Sequence, residues 1–329
     1  MSDKETVVIT GGGGFIGAQV SKTFADAGYD VIVIDRGSRK WATKNYTVFS
    51  HDFFSSSTAD ILEMFKPSTF VHLAASHVVP DSVIDPGKYY KNNVSGTQTL
   101  LDMCVKAGVK NFIFSGTGMV YGERECREPF TEDLTPMPMS PYAMSKYMTE
   151  LMLEDYKKAY GLNYVSTRYF NAAGADPEGQ NGYTQEPATH VMPIILDKIL
   201  NNEEFTIFGD DYQTPDGTSV RDYCHIQDIA DAKLKAVNYL NNGGKSGIFN
   251  LGSGGGFSIM DIIKSAEKVV GKELKYKVGE RREGDPSFLC GDISKAKELL
   301  GWSPQYSLDD MFEHSILWAN NKLKAIKDK

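Results

Sequence analysis

The chain has 329 residues, 41% of them hydrophobic and 24% charged, with a formal net charge of -8. That length can bury a large core and predicts two intimate domains, while the acidic balance argues against nucleic acid, whose partners carry a strong basic bias. No segment reaches the ~18 apolar residues of a membrane helix, and the opening MSDKETVVIT lacks the apolar run of a signal peptide, so no membrane partner and a cytoplasmic location are expected.

The first apolar run, VVIT (7–10), predicts a strand, and residues 15–28 predict an amphipathic helix with Ile16, Val20, Phe24 and Ala27 on one face and Gly28 as its stop. VIVID (31–35), TVFS (47–50), FVHLAA (70–75), NFIFSG (111–116) and YVSTRYF (164–170) predict further strands, with helices beginning near Asn92 and Tyr142 among the stretches between them. Alternation of this kind predicts an α/β fold in which βαβ units build a parallel sheet. Beyond residue 172 the rhythm loosens into GADPEGQNGYTQEP, FGDDYQTPDGT and NLGSGGGFS, with shorter helices between them, which predicts a second, smaller domain. The expected division is 1–172 and 173–329, with residues near 222–252 returning to the first unit. The terminal NNKLKAIKDK reads as a solvated helix end. Cys104, Cys126, Cys224 and Cys290 are scattered without CxxC spacing, which predicts reduced thiols and neither a disulfide framework nor a metal site.

Chemistry enters at VVITGGGGFIG, where Gly11, Gly14 and Gly17 stand between a strand and a helix. A backbone without Cβ can turn tightly and approach a pyrophosphate, which then rests on amides at the positive end of the helix. Asp35 closes the second strand, where a carboxylate accepts hydrogen bonds from an adenosine ribose and repels a 2'-phosphate. NAD is favoured over NADP on that ground, although the neighbouring Arg36 pulls the other way.

The second constellation joins Thr117, in FSGTGMVYG, with Tyr142 and Lys146 four residues apart on one helix face. A free phenol has a pKa of ~10 and is a poor base at neutral pH. An ammonium ~4 Å away at an effective dielectric of ~20 offers about 4 kcal/mol, which would bring the phenol near neutrality. Thr117 could then hold a substrate hydroxyl against it.

These motifs resemble the extended short-chain dehydrogenases/reductases. Within them, the segments HLAA (72–75), YYKNNVSGT (89–97), FSGTGMVYGE (114–123), TRYFNAAGA (167–175), FGDDYQTPDGTSVRDYCHIQDIA (208–230) and RREGDPSFLCGDISKAKELLGW (281–302) are similar, in order, to those of the UDP-glucose 4-epimerases. The resemblance implies a Rossmann-type doubly wound parallel sheet with a smaller α/β substrate-binding domain. It also implies NAD held throughout turnover, a UDP-sugar substrate interconverted between UDP-glucose and UDP-galactose through a 4-keto intermediate, and a homodimer formed by the helices near Asn92 and Tyr142.

Carried onto this sequence, the resemblance makes Tyr142, Lys146 and Thr117 catalytic. Gly11, Gly14, Phe15, Ile16, Gly17, Asp35, Asp52, Phe53, Leu73, Ala74, Ala75, Asn93 and Tyr169 become cofactor residues together with Tyr142 and Lys146, Asp52 and Phe53 matching the adenine pocket. Arg221 and Arg282 match phosphate-binding arginines, whose planar guanidinium groups suit a diphosphate. Asn171, His190, Val191, Phe208, Tyr223 and Asp285 match other positions around the nucleotide or sugar, and Asn93 lies near the expected sugar C4.

Four positions depart from the family pattern. Thr117 stands where serine is frequent, Ala143 where glycine is, His77 where many relatives carry a lysine beside the cofactor, and His190 where asparagine is frequent. Related dehydratases carry an Asp-Glu pair after the threonine and decarboxylases a glutamate one residue later, whereas Gly118 and Met119 offer no carboxylate here. A sensor built on the same fold predicts loss of the tyrosine-lysine pair or of the arginines, and all are present. The bulk at Leu289 bears on whether an N-acetyl group at C2 has room, so UDP-N-acetylglucosamine and UDP-pentose epimerisation remain open alternatives.

Overall fold

The computed structural model describes residues 4–37, 46–124, 128–185, 187–282 and 286–327. Its first half runs β1 (Thr6–Thr10), α1 (Phe15–Asp26), β2 (Asp30–Ile34), β3 (Thr47–Phe49), α2 (Ser56–Phe65), β4 (Thr69–His72), α3 (Val79–Ile84), α4 (Pro86–Tyr89), α5 (Gly96–Ala107), β5 (Asn111–Ser115), α6 (Pro141–Tyr160) and β6 (Asn163–Tyr169). The second half continues β7 (Asn171–Ala173), α7 (Val191–Asn201), β8 (Phe205–Phe208), β9 (Val220–Arg221), β10 (Tyr223–His225), α8 (Ile226–Asn241), β11 (Gly247–Leu251), β12 (Phe257–Ser258), α9 (Ile259–Val270), β13 (Tyr276–Gly279), β14 (Phe288–Leu289) and α10 (Leu308–Lys327).

Seven strands form one parallel sheet in the order β11-β6-β5-β4-β1-β2-β3. A strand's side chains alternate between faces, and a sheet covered on both faces needs apolar residues at every position. The middle positions of the central strands meet that requirement. Val7, Ile9, Val31 and Val33 pack with Val20 and Phe24 of α1 and Ile229, Ala236 and Val237 of α8 on one face. Val8, Ile32, Ile34, Phe70, Phe112 and Phe114 pack with Ile61, Leu62, Leu100, Leu101 and Leu153 of α2, α5 and α6 on the other. Burial of one side chain such as Phe24, which is fully buried, stabilises by about 1.5–3 kcal/mol. The order reverses at β1 and β4, the point at which a crevice opens beyond the carboxyl ends of the strands.

The smaller core gathers Met192, Ile195 and Ile199 of α7, Phe205 and Ile207 of β8, Ile262, Ile263 and Ala266 of α9, and Met311 and Phe312 of α10. Beside it stand the short pairs β8 with β13, β7 with β10, and the set β12-β9-β14. A capping box starts α9: Ser258 Oγ accepts from Asp261 N, and the Asp261 carboxylate accepts from Ser258 N. Two helices here are long, α8 with 16 residues and α10 with 20, so the expectation of shorter helices beyond residue 172 is corrected.

Several element boundaries also differ from the sequence reading, α1 for instance ending at Asp26 and β2 at Ile34. FVHLAA is a strand only to His72, since Leu73 N donates to Thr10 O and Ala74 N to Thr10 Oγ1, which draws the chain across the end of β1. YVSTRYF ends β6 at Tyr169, and Asn171 opens β7, which leaves the large sheet to pair with β10. Asn92 lies inside a helical stretch, not at its start, because a π-helical turn over Tyr90–Ser95 joins α4 to α5. No helix among the described residues is long and apolar enough to cross a membrane.

Candidate active site

The glycine turn, Asp35 and Thr117 each follow the carboxyl end of a strand of the large sheet. After β1, Gly11 adopts φ +72°, and a Cβ on it would lie 2.8 Å from Ala74 N. A Cβ on Gly17 would lie 1.9 Å from Gly11 O. Only glycine lets the turn close so tightly on α1. Gly14 is the N-cap of α1 and carries no side-chain cap, which leaves the first-turn amides of Phe15, Ile16 and Gly17 as donors for an anion. The Asp35 carboxylate accepts from Gly13 N and Gly37 N, both at 2.9 Å, and so stands at the lip of the turn. These residues fit a dinucleotide diphosphate and its ribose. Arg36 pairs with Asp52 at 3.1 Å and donates to Asn92 Oδ1 at 3.3 Å.

Phe53 is buried, its ring 4.8 Å from that of His72. Leu73 and Ala74 run beside Gly11, and the Ala75 backbone hydrogen-bonds His77. Asn93 occupies the π-helical turn, a feature frequent at functional sites. Its Oδ1 accepts from Ser76 N at 2.8 Å, and its Nδ2 donates to Ser76 O at 2.9 Å and Ser145 Oγ at 3.0 Å. It thereby ties the segment after β4 to α6.

Helix α6 begins with Ser140 as N-cap, its Oγ accepting from Ala143 N, and Pro141 in the first turn. That start sets the half-buried Tyr142 beside Thr117, whose hydroxyl hydrogen-bonds the phenol. One turn on, Lys146 is buried and its Nζ donates to Ser115 O at 2.9 Å, lying 4.8 Å from the Phe114 ring centroid. Burial pushes the Tyr142 phenol up from its ordinary value, nearby Tyr169 adds to the rise, and the Thr117 hydrogen bond works against both. Burial also lowers Lys146 to about 8, against an opposing pull from Glu150. The expectation that Lys146 brings the phenol near neutrality is therefore corrected: burial is the largest effect on each of the two groups, and it disfavours the charged form of both.

On the substrate side, Asn171, His190, Val191 and Tyr223 line one cavity of about 170 Å³ together with Phe15, Tyr183 and Trp318. Asn171 Nδ2 donates to Asp222 O at 2.9 Å. His190 is the N-cap residue of α7 and packs edge-on to Tyr183. Burial lowers His190, and His77 adds to that shift, so the two histidines that depart from the family pattern lie within each other's field. Arg282 stacks on Phe208, the guanidinium carbon 3.8 Å from the ring centroid. Arg221 pairs across β9 with Phe257 and Leu289, which places Leu289 beside a candidate phosphate ligand. Asp285 and Cys126 lie outside the described residues. Cys104, Cys224 and Cys290 are buried free thiols.

Two neighbours of the pair were not among the candidate residues, although Ser115 lies within FSGTGMVYG. Ser115 ends β5, and its hydroxyl hydrogen-bonds Tyr169, whose phenol burial pushes up to about 12. Lys233 of α8 is fully buried, its Nζ 2.9 Å from both Ser115 Oγ and Thr167 Oγ1. One signal could have found it, since Ile226, Ile229, Ala230, Lys233, Ala236, Val237 and Leu240 form a helical apolar stripe with a lysine in its middle.

Residues 7–252 match the NAD dependent epimerase/dehydratase family. The chain is 40% identical over 317 residues to UDP-glucose 4-epimerase of Halalkalibacterium halodurans, covering 95% of each. It is 39% identical over 330 residues to UDP-glucose 4-epimerase of Lacticaseibacillus casei, covering 98% of this chain and 99% of the relative. The crystal structure of UDP-glucose 4-epimerase from Brucella ovis in complex with NAD superposes with a TM-score of 0.91 at 38% identity, covering 95% of this chain and 98% of that one. With its glycine turn, Tyr142 and Lys146 disposed as described, the chain belongs to the NAD dependent epimerase/dehydratase family.

Proposed function

We propose that this protein is an NAD-dependent UDP-glucose 4-epimerase, an isomerase that interconverts UDP-glucose and UDP-galactose. The observation that carries the reading is the Thr117–Tyr142 hydrogen bond, with Thr117 followed by Gly118 and Met119, which bring no carboxylate. Relatives of the same length and the same fold carry the epimerase name.

Bound NAD supplies a hydride acceptor that returns the same hydride, so no net redox change is needed. In its phenolate form Tyr142 takes the proton of the sugar 4-hydroxyl as that carbon is oxidised, and Thr117 aligns the hydroxyl against the phenolate oxygen. Lys146, anchored on Ser115 O, keeps a positive charge beside the base below about pH 8. Tyr142 then returns the proton to the 4-keto sugar after it has turned its other face. Arg221 and Arg282 hold the diphosphate while the hexose turns. Residues 1–172 serve the cofactor and 173–329 mainly the sugar nucleotide, with the α8–β11 segment returning to the large sheet. A cytoplasmic homodimer belongs to the same reading, supported by the exposed Met148 and Leu151 on α6. Purified protein without added NAD is expected to convert UDP-galactose to UDP-glucose. No turnover in protein shown to contain NAD would overturn the assignment.

A further inference from the structure

Lys233 is fully buried, and among the described residues the charged group acting on it is another buried ammonium, Lys146. A lysine held away from water without a carboxylate is costly and rarely kept for packing alone. Both amines converge on one residue. Lys146 Nζ donates to the Ser115 carbonyl at 2.9 Å and Lys233 Nζ to the Ser115 hydroxyl at 2.9 Å. The same hydroxyl hydrogen-bonds Tyr169, over whose ring Lys233 lies at 5.7 Å. Two residues further along the chain, Thr117 meets the Tyr142 phenol.

We propose that Lys233 is a positioning residue of the epimerisation site, which through Ser115 sets the positive charge that Tyr142 and Lys146 experience. The proposal rests on Tyr142 acting as the base. The other titratable groups around the pair are accounted for. His72 of β4 is held neutral by burial and by both lysines, and Glu150 of α6 is bonded by Ser166 Oγ and Arg168. Cys224 of β10 is an uncharged buried thiol beside Tyr169. On α8 itself, Asp228 accepts from Gln305 N and Tyr306 N, Asp231 from Gln227 Nε2, and Lys235 donates to Gly301 O. On α1, Lys22 pairs with Asp26.

Burial and then Lys146 lower Lys233 to about 7, while burial lowers Lys146 to about 8. Both amines are thus lowered toward the neutral range. A cation favours the phenolate of Tyr142 and disfavours a second cation at Lys146. Removing Lys233 raises both groups, so both limbs of the pH–rate profile move to higher pH.

The test is Lys233→Met in the full-length protein carrying NAD, with kcat and KM for UDP-galactose measured across pH alongside Tm. We expect both limbs to rise by about one pH unit and kcat at neutral pH to fall about tenfold, with KM within about twofold of the parent. Tm should stay at or above the parent value, because an apolar chain of similar length replaces a buried charge. Ser115→Ala removes an acceptor and favours the uncharged amine, so it should move the limbs in the same direction, and it serves where the first variant does not fold. An unmoved profile in the folded variant overturns the role of Lys233 alone. An inactive parent would instead overturn the epimerase reading.

Discussion

The Lys146 ammonium donates to the backbone carbonyl of Ser115 at 2.9 Å, across 31 residues of sequence. This bond fastens the helix that carries Tyr142 to the end of the strand that leads into Thr117. The two groups expected to handle the substrate proton are therefore positioned by a helix and a strand end, not by a loop free to wander.

The same precision makes the glycine turn intolerant. Gly17→Ala would drive a Cβ to 1.9 Å from Gly11 O, so the turn must open, at a cost of about 1–3 kcal/mol. The expected result is a lower Tm and purified protein depleted of NAD, read by absorbance after denaturation. Full NAD content in a folded Gly17→Ala protein would contradict this role for the turn.

Glu150 and Arg168 form a buried pair, 2.6 Å apart, with the side chains 2% and 1% exposed. Removing one partner of such a pair leaves an uncompensated charge and costs about 3–5 kcal/mol. Denaturant unfolding of Glu150→Gln should show a loss of that size. A loss within about 0.5 kcal/mol, the usual range for surface changes, would show that the pair has little net effect.

Arg282 rests on Phe208. If it binds the substrate diphosphate, Arg282→Ala loses a charge-assisted contact of about 1.5–3 kcal/mol, and KM for the UDP-sugar rises by about tenfold or more. kcat changes little, because the reacting carbon is at the other end of the substrate. An unchanged KM would return Arg282 to a surface role.

His225 gives a pH dependence of stability. Burial, and then His314, lower it to about 3, while its Nδ1 accepts from Gln227 N and its Nε2 lies 3.1 Å from His314 Nδ1. The unfolded histidine titrates near 6.5, so between about pH 6.5 and 3 the unfolded chain binds a proton that the folded chain does not. The stabilisation is present above that window and is lost as pH falls through it. Asp228, raised to about 6 mainly by burial, acts in the opposite sense in parent and variant alike. His225→Asn keeps an acceptor for Gln227 N, and its Tm should fall less steeply over the window than the parent's. Parallel slopes would contradict the assignment.

The large sheet was legible because its strands are apolar at successive positions and its helices carry a 3.6-residue stripe; Val7 and Ile9 meet Val20 and Phe24 on one face while Val8 packs on the other, as those patterns require. The glycine turn and the Tyr142 spacing were legible for a similar reason, since each depends on neighbours along the chain. What escaped the sequence depends on contacts distant in the chain. The departure of β7 toward β10 at Asn171, the π-helical turn around Asn93 and the burial of Lys233 against Ser115 are set by packing, 118 residues apart in the last case. The protonation of Tyr142 escaped too, because spacing brings a lysine near in sequence but says nothing of the burial that raises the phenol.

The most direct test of the central claim is the rate of UDP-galactose epimerisation by Tyr142→Phe, with NAD content and Tm measured on the same preparation. The phenylalanine keeps the ring and removes the proton-carrying oxygen, so NAD and fold should be retained while kcat falls by about 10²–10⁴-fold. A variant that keeps NAD and turns over near the parent rate would contradict the account, and would leave Tyr142 a packing residue.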